Sequence, residues 1–223
     1  VPITDLTIKD NSLIVATQGR SIWMIDDLTV IHQLTSSTEE AKLYKPKDSY
    51  RMRGAGGRKS LTAGTNLPNG VIIHYFLPNF DKDNDQVKVS IHSTDGTLIK
   101  EFSNKSKENI LKVKNGGNSF VWNMKYPGAK RLDNMVLWGA DFSGAKAVPG
   151  NYIVKLKVND TELTQEFTIH KDPTSEGSID DIKAQFKFVN EINRVVDKAH
   201  KAIENIRSMK TDLKKFQSDY ADN

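Results

Sequence analysis

The sequence predicts a mostly β chain with an α-helical tail: a β-sandwich, preceded by a run of short strands resembling one propeller blade and followed by a long amphipathic helix. Three observations predict it. Apolar residues alternate with polar ones between residues 71 and 170, with a turn signal about every ten residues. Four short apolar runs separated by turn residues fill the first 34 positions. After Ser178 the apolar period switches to near 3.5, and neither Gly nor Pro occurs from there to Asn223.

The first four runs are the alternating Leu6 and Ile8, then SLIVAT (Ser12–Thr17), SIWMI (21–25) and TVIHQL (29–34). Asp10-Asn11, Gln18-Gly19-Arg20 and Asp26-Asp27 are the turns between them. A single four-stranded blade cannot cover both of its faces, because repeat units need neighbours. Residues 1–45 are therefore expected to pack on another domain. Residues 36–40 (SSTEE) carry the signature of a capped helical turn. Residues 46–70 hold two glycine-rich stretches, 54–57 and 64–70, and read as a linker.

Residues 71–170 form the clearest domain. VIIHYFL (Val71–Leu77) is a strand, and Val87, Val89 and Ile91 alternate with Lys88, Ser90 and His92. Asp95-Gly96 marks a hairpin returning through residues 98–102. Ile110, Leu111 and Val113 suggest a short strand, and SFVWNM (119–124) another. NYIVKLKV (151–158) and LTQEFTIH (163–170) flank the Asn159-Asp160 turn. Seven such strands in about a hundred residues is the pattern of a β-sandwich.

Ser178, with Asp180 and Asp181 behind it, fits the start of a helix over residues 178–220. Its apolar residues fall at Ile182, Phe186, Val189, Ile192, Val196, Ala199, Ile203, Ile206, Met209, Leu213, Phe216 and Tyr220. Eleven steps cover 38 residues, a coiled-coil-like seam. One helix of this length runs about 60 Å, longer than a hundred-residue domain can cover. Val196, Ala199, Ile203, Ile206, Leu213 and Phe216 are thus expected to meet a partner helix, and self-association is one way to supply it.

Composition bounds the chemistry. With 32 Lys and Arg against 28 Asp and Glu the net charge is +4, and zero Cys excludes disulfides, thiol catalysis and cysteine zinc sites. No apolar run approaches the ~18 residues of a membrane span, so no membrane insertion is expected. Arg51, Arg53, Arg58 and Lys59 form a basic loop, but no aromatic is interleaved for base stacking and no helix bears a basic stripe, which argues against nucleic acid. The N-terminus has neither a basic nor an apolar leader region and no Met, so the chain reads as a processed or excised piece.

Site signals are sparse. Asp81, Asp83 and Asp85 occupy positions 1, 3 and 5 of a calcium loop, but Gln86 stands where glycine is needed and His92 where the bidentate Glu would be; a solvated hairpin is the expectation and no metal is assigned. His32, His74, His92, His170 and His200 show no ligand spacing. No G-x-S-x-G elbow frames a serine, and nothing marks Asp133, Asp141, Glu162 or Glu166 as a catalytic pair. No catalytic residue and no cofactor are expected. Trp138, in VLWGADFSG, and Tyr126 are the candidates for a ligand contact, carbohydrate being the class that exposed rings suggest.

Several stretches carry a family resemblance. SLIVATQGRSIWMIDD (residues 12–27) resembles the final-blade motif of bacterial sortilin-type or BNR-type β-propeller proteins. AGTNLPNGVIIHYFL (63–77), NSFVWNMKYPGA (118–129) and AVPGNYIVKLKV (147–158) are similar to the Ig-like, fibronectin-type sandwich that follows the propeller there. DIKAQFKFVNEINRVVDKAHKAIENIR (181–207) looks like the same proteins' C-terminal helix pair, which implies a helical hairpin as the alternative to one long helix. The resemblance implies an exported protein, periplasmic, cell-surface or secreted, of glycosyl hydrolase-like type. Any active site would lie on the upstream propeller, so no catalytic residue carries over. The expected function is a non-catalytic accessory and interaction region that contacts the propeller or another protein. The alternative is a carbohydrate-binding module of a glycoside hydrolase-like protein.

Overall fold

The structure, a computed structural model, describes residues 1–34, 39–52, 67–136, 138–139 and 141–220. The chain is mostly β, with three sheets and one long C-terminal helix. It divides into two compact units: Val1–Met124 with Pro149–Ser175, and Lys125–Val148 with Glu176–Asn223.

The first unit opens with a three-stranded antiparallel sheet in the order β1 (Ile3–Lys9), β2 (Ser12–Thr17), β3 (Ile22–Ile25). Asp10 and Asn11 both have positive φ, 49° and 65°, the geometry of a two-residue hairpin turn whose twist matches the strands. The run expected as a fourth strand, residues 29–34, is instead the helical turn α1 (Thr29–His32). Asp27 accounts for the difference. Its carboxylate accepts both the Thr29 N–H at 2.9 Å and the Thr29 hydroxyl at 2.5 Å, and Asn11 Nδ2 donates to the same oxygen at 3.0 Å. Local hydrogen bonds turn the chain before the β-branched TVI run can pair.

Two further sheets share a core. The three-stranded sheet runs β4 (Lys42–Leu43), β6 (Val71–Leu77), β9 (Gly116–Trp122); the five-stranded sheet runs β5 (Ser49–Tyr50), β11 (Thr161–His170), β10 (Gly150–Val158), β7 (Val87–Ser93), β8 (Leu98–Ser103). Alternation does what the sequence requires of it: Val71, Ile73, Tyr75 and Leu77 are buried while Ile72, His74 and Phe76 turn to the other face. On the larger sheet Val89 pairs with Leu156 and Ile91 with Val154, all fully buried. Trp122 of β9 joins the two sheets, its ring edge-on to Tyr152 at 5.9 Å and to Phe167 at 6.2 Å. Burial pushes the Tyr75 hydroxyl up to about 12.

Other segments also departed from expectation. Residues 110–113 form no strand; Ile110 makes a single bridge to Ser103, and Leu111 is buried beside it. β4 and β5, two residues each, lie in the segment 39–52 that shows no periodicity, and β5 joins β11 in parallel. The turns follow the sequence closely. Asn159, at φ 52°, accepts from the Gln86 N–H at 2.9 Å and donates to Asp85 at 2.8 Å, tying the β10–β11 turn to the loop before β7. The expected helical turn at residues 36–40 and the basic loop lie largely outside the described residues.

Trp122 is 0% exposed at the junction of the two sheets. Trp122→Ala should lower unfolding free energy by about 3–5 kcal/mol. Urea denaturation measures this directly, and a loss below about 1 kcal/mol would show that the two sheets do not share this core.

Candidate functional site

The second unit is built on α2 (Ile179–Tyr220), a continuous helix of 42 residues and therefore about 63 Å long. Ser178 starts it: its hydroxyl accepts the Asp181 N–H at 3.1 Å, while the Asp181 carboxylate takes the Ser178 hydroxyl at 2.7 Å and the Ser178 N–H at 2.8 Å. These bonds, the hydroxyl first, hold the Asp181 carboxyl below the usual aspartate range.

A 24-residue strap, Lys125–Val148, lies along one stripe of the helix. Tyr126 packs edge-on to Phe186 with ring centroids 4.8 Å apart, and Phe142 lies 5.6 Å from the His200 ring. His200, 7% exposed, places Nδ1 at 2.5 Å from the Lys130 carbonyl oxygen. The Lys130 N–H donates to Asp197 at 2.7 Å, and its ammonium reaches Glu204 at 3.1 Å. Arg207 donates to the Asp133 carbonyl at 3.3 Å. The strap is closed on itself by a near contact of backbone: a Cβ on Gly128 would sit 1.7 Å from the Phe142 carbonyl oxygen.

The strap-facing stripe is Ile182, Phe186, Val189, Asn193, Val196, His200 and Glu204, all buried or half-buried. Beside it runs a second apolar stripe: Phe188, Ile192, Val195, Ala199, Ala202, Ile206, Met209, Leu213, Phe216 and Tyr220, all exposed. The steps alternate strictly, four then three, from 188 to 220. Its eight large residues are 45% to 66% exposed. Of the six seam residues read from the sequence, Ala199, Ile206, Leu213 and Phe216 belong to this stripe; Val196 faces the strap side, and Ile203, 38% exposed, borders both. The signal that identifies the stripe is the unbroken seven-residue repeat through Phe188, Val195, Ala202, Met209 and Phe216, masked by the neighbouring Phe186, Val189, Val196 and Ile203.

The other candidates are dispersed. Trp138 is 96% exposed, whereas Tyr126 is packed against Phe186. The Asp81 carboxylate accepts from the backbone of Asp83 and from Asn84, and Lys105 places its ammonium on the carbonyls of Lys82 and Asp83 at 2.9 and 2.8 Å. Among the described residues no three His, Asp or Glu side chains gather as a metal site. Asp141 is bonded to Ser143, Glu162 to Lys155, and His170 lies 3.3 Å from Asp48.

Within the first unit a groove of about 620 Å³ lies on the outer side of β6 and β9, lined by Val30, Leu34, Tyr44, His74, Phe76 and Ser119 with Lys112 and Lys114. Burial lowers the pKa of His74, opposed by the charge of Asp27, so the imidazole leans toward its neutral form. His74 and Ser119 are cross-strand partners, yet no hydrogen bond joins them among the described residues, and no carboxylate lines the groove.

No family model matches the chain, and no curated protein matches it.

The capping carboxylate gives a pH signature. Its lowered pKa means that the stabilisation is whole above the ordinary aspartate value of about 3.9 and fades as pH falls through the lower folded value. Following the Ser178 amide by NMR against pH should give a midpoint below that ordinary value, and Asp181→Ala should remove the titration. A midpoint at or above it contradicts the capping geometry.

Proposed function

We propose that this chain is a non-catalytic accessory and interaction region, whose working surface is the exposed stripe of α2. The observation that carries the reading is that stripe: ten apolar positions in strict heptad order over 33 residues, left in solvent while the strap covers the adjacent face. Soluble proteins rarely expose a contiguous apolar surface of this extent unless something docks on it. The heptad order says what docks, because only another helix offers holes at the same spacing.

The N-terminal sheet supports the same reading. Ile3, Leu6 and Ile8 on β1 and the whole of β3 are exposed; the irregularity between Ile3 and Asp5 sets Ile3, Leu6 and Ile8 on one face, and Ile22 and Met24 of β3 lie on the other. A sheet apolar on both sides needs neighbours. The resemblance of residues 12–27 to the closing blade of sortilin-type and BNR-type propellers names that neighbour as an upstream propeller. On this proposal the two-sheet core is an Ig-like, fibronectin-type sandwich, and the whole is the C-terminal region of a larger exported bacterial protein, acting at the periplasm, the cell surface or beyond it.

Substituting Ile206, Leu213 and Phe216 together with Lys tests the reading. If the stripe serves a partner, the variant should keep the helical circular dichroism and a stability within about 0.5 kcal/mol of the parent for each unit taken alone, while losing the dye binding and association that an apolar stripe confers. A collapse of the fold would show that the stripe is internal core.

Trp138 favours a second reading, a carbohydrate-binding module, since a ring this exposed is placed for stacking on a sugar face. Calorimetry against soluble glycans measures it; binding abolished by Trp138→Ala supports that module, and no binding by the parent chain excludes it.

A further inference from the structure

We infer that the exposed stripe of α2 pairs with the same stripe of a second copy of this chain, running antiparallel, with the two helices overlapping from 188 to 220. The inference rests on the interaction reading above and supplies its partner.

Heptad assignment comes first. The four–three alternation places Ile192, Ala199, Ile206 and Leu213 at one core position of the repeat and Phe188, Val195, Ala202 and Met209 at the other. A repeat of seven held over more than four heptads imposes a left-handed supercoil, which keeps the stripe against one partner along its whole length.

Side-chain size then decides direction. In a parallel, in-register pair like faces like. Ala199 would meet Ala199 and Ala202 would meet Ala202, so two successive layers at the middle would be hollow. Phe188 and Phe216 would crowd their own copies at the ends. Voids and overpacking both destabilise. Reversing one helix fills the hollow layers and sets Phe216 against the smaller Ile192. Ala199 then faces Met209 of the second copy, Ala202 faces Ile206, and Val195 faces Leu213; each small residue meets a large one. The same register sets Phe188 against Tyr220, so the two stripes begin and end together.

Charge and extent agree with this register. The flanking Lys198 lies beside Asp212 of the second copy, and the two-fold relation repeats the pair. Glu191 and Asp219 meet at the two exposed ends, where solvent screens them. A slip by one heptad would exchange that end contact for Lys198 with Asp219, but would leave Phe188 and Ile192 bare. Burial of those two side chains outweighs a solvated charge pair. The ten stripe positions with the flanking positions on both sides bring about twenty residues from each copy, the number a specific interface uses.

The chain has no cysteine, which makes disulfide probes unambiguous. The full chain should sediment as a dimer at tens of micromolar, and Ile206→Lys should raise the dimer dissociation constant about a hundredfold or more while leaving the circular dichroism unchanged. Under oxidation the double variant Val195→Cys, Leu213→Cys should form a covalent dimer. Leu213→Cys alone should not, because antiparallel overlap holds the two copies of residue 213 about 27 Å apart along the axis. A dimer linked by Leu213→Cys alone overturns the direction. A dimer that the double variant fails to link overturns the register. A monomeric chain overturns the self-pairing altogether, and does so independently of the interaction reading, which the lysine substitutions of the stripe decide on their own.

Discussion

A strap of 24 residues cannot cover a helix of 42, and that mismatch organises the second unit. The strap takes one stripe, holding it through Tyr126 on Phe186, Phe142 on His200 and the Lys130 backbone on Asp197. Its Asp133 carbonyl accepts a hydrogen bond from Arg207. What remains is an apolar stripe on the adjacent face, continuous from Phe188 to Tyr220. The outer turns of the helix leave an apolar stripe that the strap does not cover, and a solvent-exposed surface of that extent is unfavourable. The functional proposal and the pairing inferred for the helix both answer that one deficit.

The first unit has a complete core and an incomplete neighbour. Trp122, Tyr152 and Phe167 close the space between the two packed sheets, and strict alternation on β6, β7 and β10 fills it with fully buried aliphatic side chains. The three N-terminal strands differ in kind: they satisfy their backbone bonds with one another, and the residues of β1 and β3 stay exposed. On the proposed function, the sheet β1–β3 and the helix stripe are the surfaces by which a larger assembly attaches.

Much of this was legible in the sequence, and the failures have physical causes. The long strands of the two packed sheets were readable because each buries one face, so period two is written into Val71 to Leu77 and Tyr152 to Val158. β4 and β5 are two residues each, too short to carry a period. TVIHQL reads as a strand by composition, but the Asp27 carboxylate captures the Thr29 N–H and hydroxyl and starts a helical turn. The helix was predicted over its full length, yet its seam was read as one stripe. Two apolar stripes lie side by side on it, and a mean spacing near 3.5 threads from one to the other: Val189 and Val196 belong to the strap side, Ile206 and Leu213 to the exposed side. Only the position of the strap separates them. The strap itself, with four Ala, three Gly and three Lys in its 24 residues, gave no periodic sign of what it would cover.

The central claim is that the outer half of α2 is covered by another helix in solution. Amide hydrogen exchange over residues 208–220, followed as the chain is diluted, tests it most directly. The account predicts strong protection at high concentration that falls away on dilution, while the strap-covered turns around Val196 and His200 stay protected throughout. Exchange over 208–220 that is equally fast at every concentration would contradict it.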